Sequence, residues 1–396
     1  MSPSAPRHSR ARVGPLASAP APAPALHVDA LLDNRDTHII VCCGSGGVGK
    51  TTTSAALALR AAERGRRVVV LTIDPARRLA QSMGIERLDN TPRPVPGAGN
   101  TNGGGLDAMM LDMKRTFDEV VLSQASPERA KQILDNPFYI ALSSSFAGTQ
   151  EYMAMEKLGQ LHRQAAKDGQ WDLIVVDTPP SRSALDFLDA PERLASLLEG
   201  RFLKLLLAPA RGPLRLMSAG LNATMAVLNR VLGAQVLKDV QTFAAAFETL
   251  FGGFRERAEQ TVSLLREPHT AFLVVAAPQN DALREASYFS ERLRTEQMPL
   301  AGVVLNRVTT SALTLSAERS LAAAEQLADS GDSSLTEALL RLHADRMQQV
   351  TGDRKRADRF RRGHRGIPIA EIPALADDVH DLDGLRQIGD LLAGTM

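Results

Sequence analysis

The chain of 396 residues has a formal net charge of +1 at pH 7, and 44% of its residues are hydrophobic. This length is typical of two or three domains and leaves ample chain for a large core. A net charge near zero argues against a protein that binds polyanions through bulk electrostatics. No apolar run in the sequence reaches the length of a transmembrane helix, so we predict a soluble, cytoplasmic protein.

The two cysteines, Cys42 and Cys43, are adjacent in the sequence. Adjacent cysteines rarely form a disulfide with each other, and the chain has neither a CxxC pair nor a Cys/His cluster. A disulfide framework is therefore excluded, and we expect no zinc. We predict that both thiols are small buried groups, with a redox switch as the alternative.

Residues 1–35 are rich in Pro, Ala and Ser and contain no acidic residue before Asp29. Such a segment buries too little apolar surface to offset the entropy lost on ordering, so we predict a disordered N-terminal arm. An organellar transit peptide, which has a similar composition, is the alternative.

From residue 36 onward, short β-branched runs alternate with longer helical stretches. This pattern predicts an α/β fold with a mostly parallel sheet flanked by helices, in one domain over 36–396. Helical insertions are predicted at about 112–170 and 185–268, and a flexible surface loop at 91–105. The predicted strands are Ile39–Cys43, Val68–Ile73, Leu106–Leu111, Leu173–Asp177, Phe272–Ala276, Ala301–Asn306 and Ile367–Ile372.

A glycine-rich loop follows the first predicted strand and opens a helix; it reads Gly44-Ser45-Gly46-Gly47-Val48-Gly49-Lys50-Thr51. Its glycines match G-x-G-x-x-G, with Asp74 where a dinucleotide site holds its ribose acid. The same residues match G-x-x-x-x-G-K-[ST], the P-loop. Lys50 and Thr51 favour the P-loop, because a triphosphate needs a cation for its β- and γ-phosphates and a hydroxyl for Mg²⁺.

A P-loop site also needs an acid at the end of an apolar strand, and Asp177 meets this need. We therefore predict a site for ATP and Mg²⁺ in which Thr51 and Asp177 hold the ion. The phosphates are predicted to lie against the backbone N–H groups of the loop and of the helix that it opens. The predicted nucleotide-binding residues of this segment are Gly44, Ser45, Gly46, Gly47, Val48, Gly49, Lys50, Thr51 and Thr52.

Residues 46–52, Gly-Gly-Val-Gly-Lys-Thr-Thr, resemble the deviant Walker A loop of the arsenite-pump and tail-anchored-protein-targeting ATPases, which are relatives of the MinD and ParA partition ATPases. Residues 72–76, Thr-Ile-Asp-Pro-Ala, resemble switch I of that family, and 177–180, Asp-Thr-Pro-Pro, resemble switch II. Residues 148–151 are similar to its PGxxE region. The resemblance extends over about 36–396.

This resemblance implies a role for several residues. Lys50 contacts the β- and γ-phosphates, Thr51 ligates Mg²⁺ directly and Asp177 holds the ion through water. Asp74 orients the attacking water, so Lys50 and Asp74 are the predicted catalytic residues. The alternative for Asp74 is an acid that receives the waters of Mg²⁺ or caps a helix. Asn306 and Pro373 occupy positions where the family holds adenine.

Ser45 departs from the family pattern, which has at this position a signature lysine that reaches the partner's phosphates across a dimer interface. A serine cannot neutralise charge in the transition state. The chain is then a weak ATPase or nucleotide sensor, or Arg182 supplies the cation, or a paralogous subunit that kept its lysine pairs with this one. We favour the last two together, and the predicted partner is a second copy or such a paralogue.

The cysteines also depart from the family, whose members bind arsenite through distant cysteines or share zinc through CxxC. Cys42 and Cys43 match neither pattern, so we expect no arsenite activation. The Met-, Phe- and Leu-rich insert at 200–256 is a candidate site for a hydrophobic helical client, or an ordinary helical core. The basic cluster 354–365 is predicted as a solvated helix face, with transient contact to anionic lipid as an alternative and nucleic acid less favoured.

The sequence thus predicts a dimeric Mg-ATP-dependent ATPase whose hydrolysis drives a conformational switch in handling or targeting membrane proteins. Two alternatives remain open: a nucleotide-binding regulatory subunit with negligible hydrolysis, and a partition-type ATPase.

Overall fold

The computed structural model describes residues 23–74, 78–99, 103–137, 139–140, 143, 149–179, 253, 256–330 and 334–395. The strands are β1 (Ile39–Cys43), β2 (Arg67–Thr72), β3 (Arg93–Gly99), β4 (Gly105–Met110), β5 (Leu173–Asp177), β6 (Thr270–Ala276), β7 (Leu300–Val308) and β8 (Ile369–Pro373). The helices are α1 (Val28–Asp33), α2 (Lys50–Glu63), α3 (Arg78–Ser82), α4 (Met113–Gln124), α5 (Pro127–Leu134), α6 (Thr149–Asp168), α7 (Asn280–Thr295), α8 (Ala317–Ser330), α9 (Ser334–Gly363) and α10 (Leu382–Ala393).

The strands form one sheet in the order β3-β4-β2-β5-β1-β6-β7-β8. All neighbouring strands are parallel except β3 and β4, which are antiparallel. The central strands β1, β5 and β6 are buried along their whole length, which is why they read as unbroken apolar runs. The predicted α/β fold is confirmed, and the predicted bounds of β1 and β5 match the structure.

Helices cover both faces of the sheet, and each face has its own apolar core. Val70, Leu273 and Ile388 belong to the core that includes α2 and α10. Phe117 and Phe289 belong to the core on the other face, which includes α4, α6 and α7. Because alternate side chains of a strand point to opposite faces, the central strands contribute to both cores.

The prediction of a flexible loop at 91–105 is wrong, because β3 occupies much of this segment at the edge of the sheet. Pro94 lies in this strand, and proline is tolerated in edge strands because one side of the strand needs no hydrogen bonds. After β3, Gly104 passes so close to α2 that a Cβ atom would lie 2.0 Å from the carbonyl oxygen of Ala62. The glycines here therefore permit close packing of the chain.

The prediction of disorder for residues 1–35 is wrong for 23–35. Ala25 forms a parallel bridge with Ile369, and α1 follows at once. Arg60 of α2 donates hydrogen bonds of 2.5 and 2.8 Å to the carboxylate of Asp29, and so anchors α1 to the domain. The sequence argument failed because these contacts join residues that are distant along the chain.

Several predicted features lie outside the described residues: Arg182, Gly148, residues 75–77 and most of the insert at 200–256. Helices α4, α5 and α6 occupy the first predicted insertion, at about 112–170. In the described part of the chain, no helix combines the length and hydrophobicity needed to cross a membrane.

Candidate functional site

The glycine loop lies between β1 and α2, at the carboxyl end of the parallel strands. Gly44 has a φ of +149°, and a Cβ atom there would lie 2.1 Å from the carbonyl oxygen of Val275. Gly49 has a φ of +92°, and its Cβ would lie 2.2 Å from Nδ2 of Asn306. Both positions therefore require glycine. The loop ends where α2 begins, at Lys50, so that free N–H groups of the first helical turn face the loop.

Lys50 lies beneath the loop and is 5% exposed. Its Nζ donates a 2.8 Å hydrogen bond to the carbonyl oxygen of Ser45, five residues earlier. Burial lowers the pKa of Lys50, while the nearby carboxylates of Asp177 and Asp74 oppose this shift. The ammonium group is therefore held at the loop by the loop's own backbone.

Asp177, at the end of β5, is fully buried. Its Oδ2 accepts hydrogen bonds of 2.8 Å from the hydroxyls of both Thr51 and Thr72. Its Oδ1 is buried without a hydrogen-bond partner in the described part of the chain. Burial raises the pKa of Asp177 to about 6, although the two hydroxyls and Lys50 act in the opposite direction.

A hard divalent cation fits this arrangement. The carboxylate of Asp177 and the hydroxyl of Thr51 are oxygen ligands of the kind that Mg²⁺ prefers. The Oδ1 of Asp177 is buried and has no hydrogen-bond partner in the described part of the chain. A bound cation beside it would supply the positive charge that stabilises a buried carboxylate in its ionised form. No cluster of three or more His, Cys, Asp or Glu side chains suited to a metal occurs among the described residues.

Asp74 lies just beyond β2 and is 6% exposed. Its backbone N–H donates to the hydroxyl of Thr72 over 3.2 Å, and its Oδ2 lies 3.9 Å from Nη1 of Arg78. Gln150, in the segment similar to PGxxE, donates from Nε2 to the carbonyl oxygen of Ile73 over 2.8 Å. The two motifs thus meet beside Asp74.

A pocket of about 860 Å³ opens over the loop. Asn306 and Pro373 line it from the ends of β7 and β8, and the Nδ2 of Asn306 donates a 2.8 Å hydrogen bond to the carbonyl oxygen of Val48. The predicted site residues that line this pocket are Gly47, Gly49, Lys50, Thr51, Thr52, Asp74, Asn306 and Pro373.

The remaining predicted residues lie around this pocket. Ser45, Gly46 and Val48 line a second pocket of about 500 Å³, which shares Gly47 and Arg307 with the first. The Oγ of Ser45 is buried and has no hydrogen-bond partner among the described residues. Asp177 lies buried below the loop, and Gly44 packs against β6.

Sequence reasoning missed several residues of the site. The hydroxyls of Thr72 and Thr51 both donate to the carboxylate of Asp177. The sequence did contain a sign of this role, because Thr72 is a hydroxyl residue at the end of a strand, two residues before Asp74. Arg307 contacts the carbonyl oxygen of Gly47 over 3.0 Å and lines both pockets. Residues 377–380 also line the larger pocket, but no motif marks them.

The cysteines lie under the loop, at the end of β1. Both are fully buried, and desolvation raises the pKa of each thiol to about 12. The hydroxyl of Thr178 donates a 2.9 Å hydrogen bond to the carbonyl oxygen of Cys42, which ties the segment that resembles switch II to β1. The thiols therefore remain protonated and poorly reactive in the folded protein.

The sequence model of the family described as anion-transporting ATPase matches residues 37–319. The chain belongs to this family. The predicted relation to the arsenite-pump and targeting ATPases is confirmed, as is the prediction of an ATPase family member. The matched segment runs from just before β1 into α8, and includes the loop, Asp74, Asp177 and Asn306.

Similar proteins are named as ATPases. The chain is 28% identical to an ATPase ASNA1 homolog of Cryptosporidium parvum over 67% of the chain and 63% of that protein. It is 27% identical to ATPase GET3 of Podospora anserina, over 71% of the chain and 76% of the relative. With ATPase GET3 of Malassezia globosa the identity is 30%, over 42% of the chain and 46% of that protein. The chain thus spans less than two thirds of the length of the Cryptosporidium parvum and Malassezia globosa proteins.

Proposed function

We propose that this protein is a cytoplasmic Mg-ATP-dependent ATPase whose nucleotide state drives a conformational switch. The observation that carries the proposal is the buried carboxylate of Asp177. One of its oxygens accepts a hydrogen bond from Thr51 of the glycine loop, and the other has no hydrogen-bond partner among the described residues. A P-loop needs this pairing of hydroxyl and acid to hold Mg²⁺ beside the phosphates.

The loop residues bind the triphosphate in this proposal. Backbone N–H groups between Gly46 and Thr52 cradle the phosphates, and Lys50 neutralises charge on the β- and γ-phosphates. Asn306 and Pro373 bound the adenine end of the pocket. When bound between Thr51 and Asp177, Mg²⁺ supplies electrostatic stabilisation of the phosphates.

Asp74 orients the attacking water and accepts its proton. This role is supported by its burial at the pocket, which Lys50 also lines. Asp74→Asn is expected to retain ATP binding and to lose turnover. Equal turnover in this variant would remove Asp74 from the catalytic role.

The switch follows from the contacts between neighbouring strand ends. The hydroxyl of Thr72 donates a hydrogen bond to the carboxylate of Asp177 and accepts one from the backbone N–H of Asp74. A shift at the γ-phosphate that moves Asp74 therefore also pulls on Asp177 and the segment that follows it. Such paired loops are a common way for hydrolysis to change protein conformation.

The proposed partner is a second copy or a paralogous subunit, and the proposed client is a hydrophobic helix of a membrane protein. The similarity to proteins named ATPase GET3 supports this line of function. Binding of a transmembrane-helix peptide that depends on ATP would test the client. A peptide that binds equally with and without nucleotide would contradict the proposed coupling.

Ser45 supports a second candidate, a regulatory subunit with negligible hydrolysis. Its side chain is neutral, so it adds no positive charge at the loop. Its backbone carbonyl oxygen accepts a hydrogen bond from Lys50. ATP hydrolysis and molar mass, measured with and without ATP for the wild type, Ser45→Lys and Lys50→Ala, separate the two candidates. If the protein is an ATPase, the wild type hydrolyses ATP on its own and Lys50→Ala does not. A regulatory subunit binds ATP, hydrolyses none alone and gains activity only with a partner or with Ser45→Lys.

A further inference from the structure

The last third of α9 carries four exposed cations that pair with no acid among the described residues. Arg354, Lys355, Arg359 and Arg362 are exposed, and in the described part of the chain none of them forms a hydrogen bond or ion pair. We call these four residues the basic face. At about 100° per helical residue they lie within an arc of about 140°, so they point to one side of the helix.

The other cations of this segment have structural roles. Arg356 donates to the carbonyl oxygen of Pro278 over 2.5 Å and to Asp353 over 2.6 Å. Arg361 pairs with Glu371 over 2.7 Å and approaches Asp358 at 3.5 Å. These two arginines fix the helix to the domain, whereas no residue that the structure describes pairs with the basic face.

The body of the domain holds the basic face outward. Ala357 and Phe360, on the opposite side of the helix, are 1% and 5% exposed and pack in the core. Asp358 is the one acid within the arc, and its carboxylate is shared with Arg361. Four like charges on a rigid helix repel one another, and this cost is relieved when an anionic surface supplies the counter-charge.

We propose that the basic face binds the anionic surface of a lipid bilayer. Clusters of four to eight Lys and Arg residues suit such surfaces, each contributing through attraction to many mobile headgroups. Charges on one face of a helix can meet a plane, and they need no groove. The proposal concerns a surface that shares no residue with the nucleotide site, so it stands or falls separately from the proposed ATPase activity.

Nucleic acid fits these observations less well. Base stacking favours exposed aromatic side chains, and the last third of α9 offers none beside the basic face, because its Phe360 is buried. The isoelectric point of the chain, about 7.9, is also below that typical of nucleic-acid-binding domains. Duplex DNA, which binds basic surfaces without base stacking on aromatic side chains, is the competing ligand in the test.

The experiment is flotation of the full chain with two kinds of vesicle, phosphatidylcholine alone and phosphatidylcholine mixed with phosphatidylglycerol. We expect binding only to the mixed vesicles, with a decrease as salt is raised. The charge-reversal variant Arg354→Glu/Lys355→Glu/Arg359→Glu/Arg362→Glu is expected to bind at least about tenfold more weakly.

A matched control changes net charge equally but at scattered sites. Arg87, Arg129, Lys131 and Arg294 are also exposed and form no ion pair in the described part of the chain. Their joint replacement by Glu is expected to reduce binding much less than reversal of the basic face. Lys50→Ala is expected to bind vesicles as the wild type does, which separates this proposal from the nucleotide site.

Several results would overturn the proposal. They are absence of wild-type binding to the mixed vesicles, equal binding to neutral vesicles, equal loss in the scattered control, and binding of duplex DNA in preference to vesicles. Thermal unfolding of each variant checks the fold. If charge reversal unfolds the chain, replacement of the same four residues by Gln takes its place, and unchanged binding in that variant also contradicts the proposal.

Discussion

Two buried charged groups lie at opposite ends of the same sheet, and their surroundings differ. Arg66, just before β2, is 1% exposed and donates all of its side-chain N–H groups: to Asp172, and to the carbonyl oxygens of Leu32, Asn34 and Thr37. Asp177, at the end of β5, is fully buried but has one carboxylate oxygen without a partner.

This difference separates a structural charge from a functional one. A buried charge with a complete set of partners stabilises the particular arrangement that provides them. A buried charge with an incomplete set raises the energy of the protein until a ligand completes it. Arg66 joins residues 32–37 to the sheet, whereas Asp177 joins the helix that the glycine loop opens to β5. We therefore expect substitutions at the two ends to affect different properties.

The largest expected effect is at the functional end. Lys50→Ala is expected to lower kcat/KM for ATP by at least about a thousandfold, because it removes the cation held at the loop. Steady-state phosphate release measures this effect. Lys157→Ala is the control, because Lys157 is also a buried lysine but pairs with Glu119 of α4 and not with the loop. Loss of activity in both variants would show that general destabilisation is the cause.

At the structural end, Arg66→Met is expected to lower the free energy of unfolding by about 3–5 kcal/mol, since it removes the donor to Oδ1 of Asp172 and the donors to the carbonyl groups of residues 32, 34 and 37. Urea denaturation measures this. Arg67→Met is the matched control: its side chain is half exposed and lies 3.9 Å from Asp172, so a cost below about 1 kcal/mol is expected. Similar costs for the two variants would contradict the distinction between structural and surface charge.

A smaller effect is expected within the loop. Gly49→Ala is expected to cost about 1–3 kcal/mol of stability through backbone strain and contact with the Asn306 side chain, and to weaken ATP binding. Gly47→Ala is the control, because Gly47 also has positive φ, +75°, but has open space where a Cβ would lie. Calorimetric titration with ATP compares them. Equal affinities in the two variants would mean that contact with Asn306 does not shape the site.

The central strands were predictable because parallel strands buried on both faces must be continuous apolar runs, as β1 and β5 are. The glycine loop was predictable because its backbone geometry admits few other residues. The edge strand β3 was not, since its Pro and Gly content is that of a loop and only pairing with β4 orders it. Nor was the environment of Arg66, whose partners are mostly backbone carbonyls that no sequence pattern marks.

Within the site, the acids that end apolar strands were recognisable, and Asp177 and Asp74 lie where strand ends meet. The sharing of Asp177 by two threonines was not recognisable, because Thr51 and Thr72 are brought together only by the pairing of β2 with β5. Arg307 was missed for a related reason. It reaches Gly47 only because β7 ends beside the loop.

Asp177 and Thr51 are proposed to form a nucleotide site that depends on magnesium. The most direct measurement is the affinity of the wild type and of Asp177→Asn for ATP, with Mg²⁺ and with a chelator. We expect Mg²⁺ to strengthen ATP binding to the wild type and to have little effect on ATP binding to Asp177→Asn. Without nucleotide, we expect the variant to unfold at the same temperature as the wild type or a higher one. An equal gain from Mg²⁺ in both proteins would contradict this proposal.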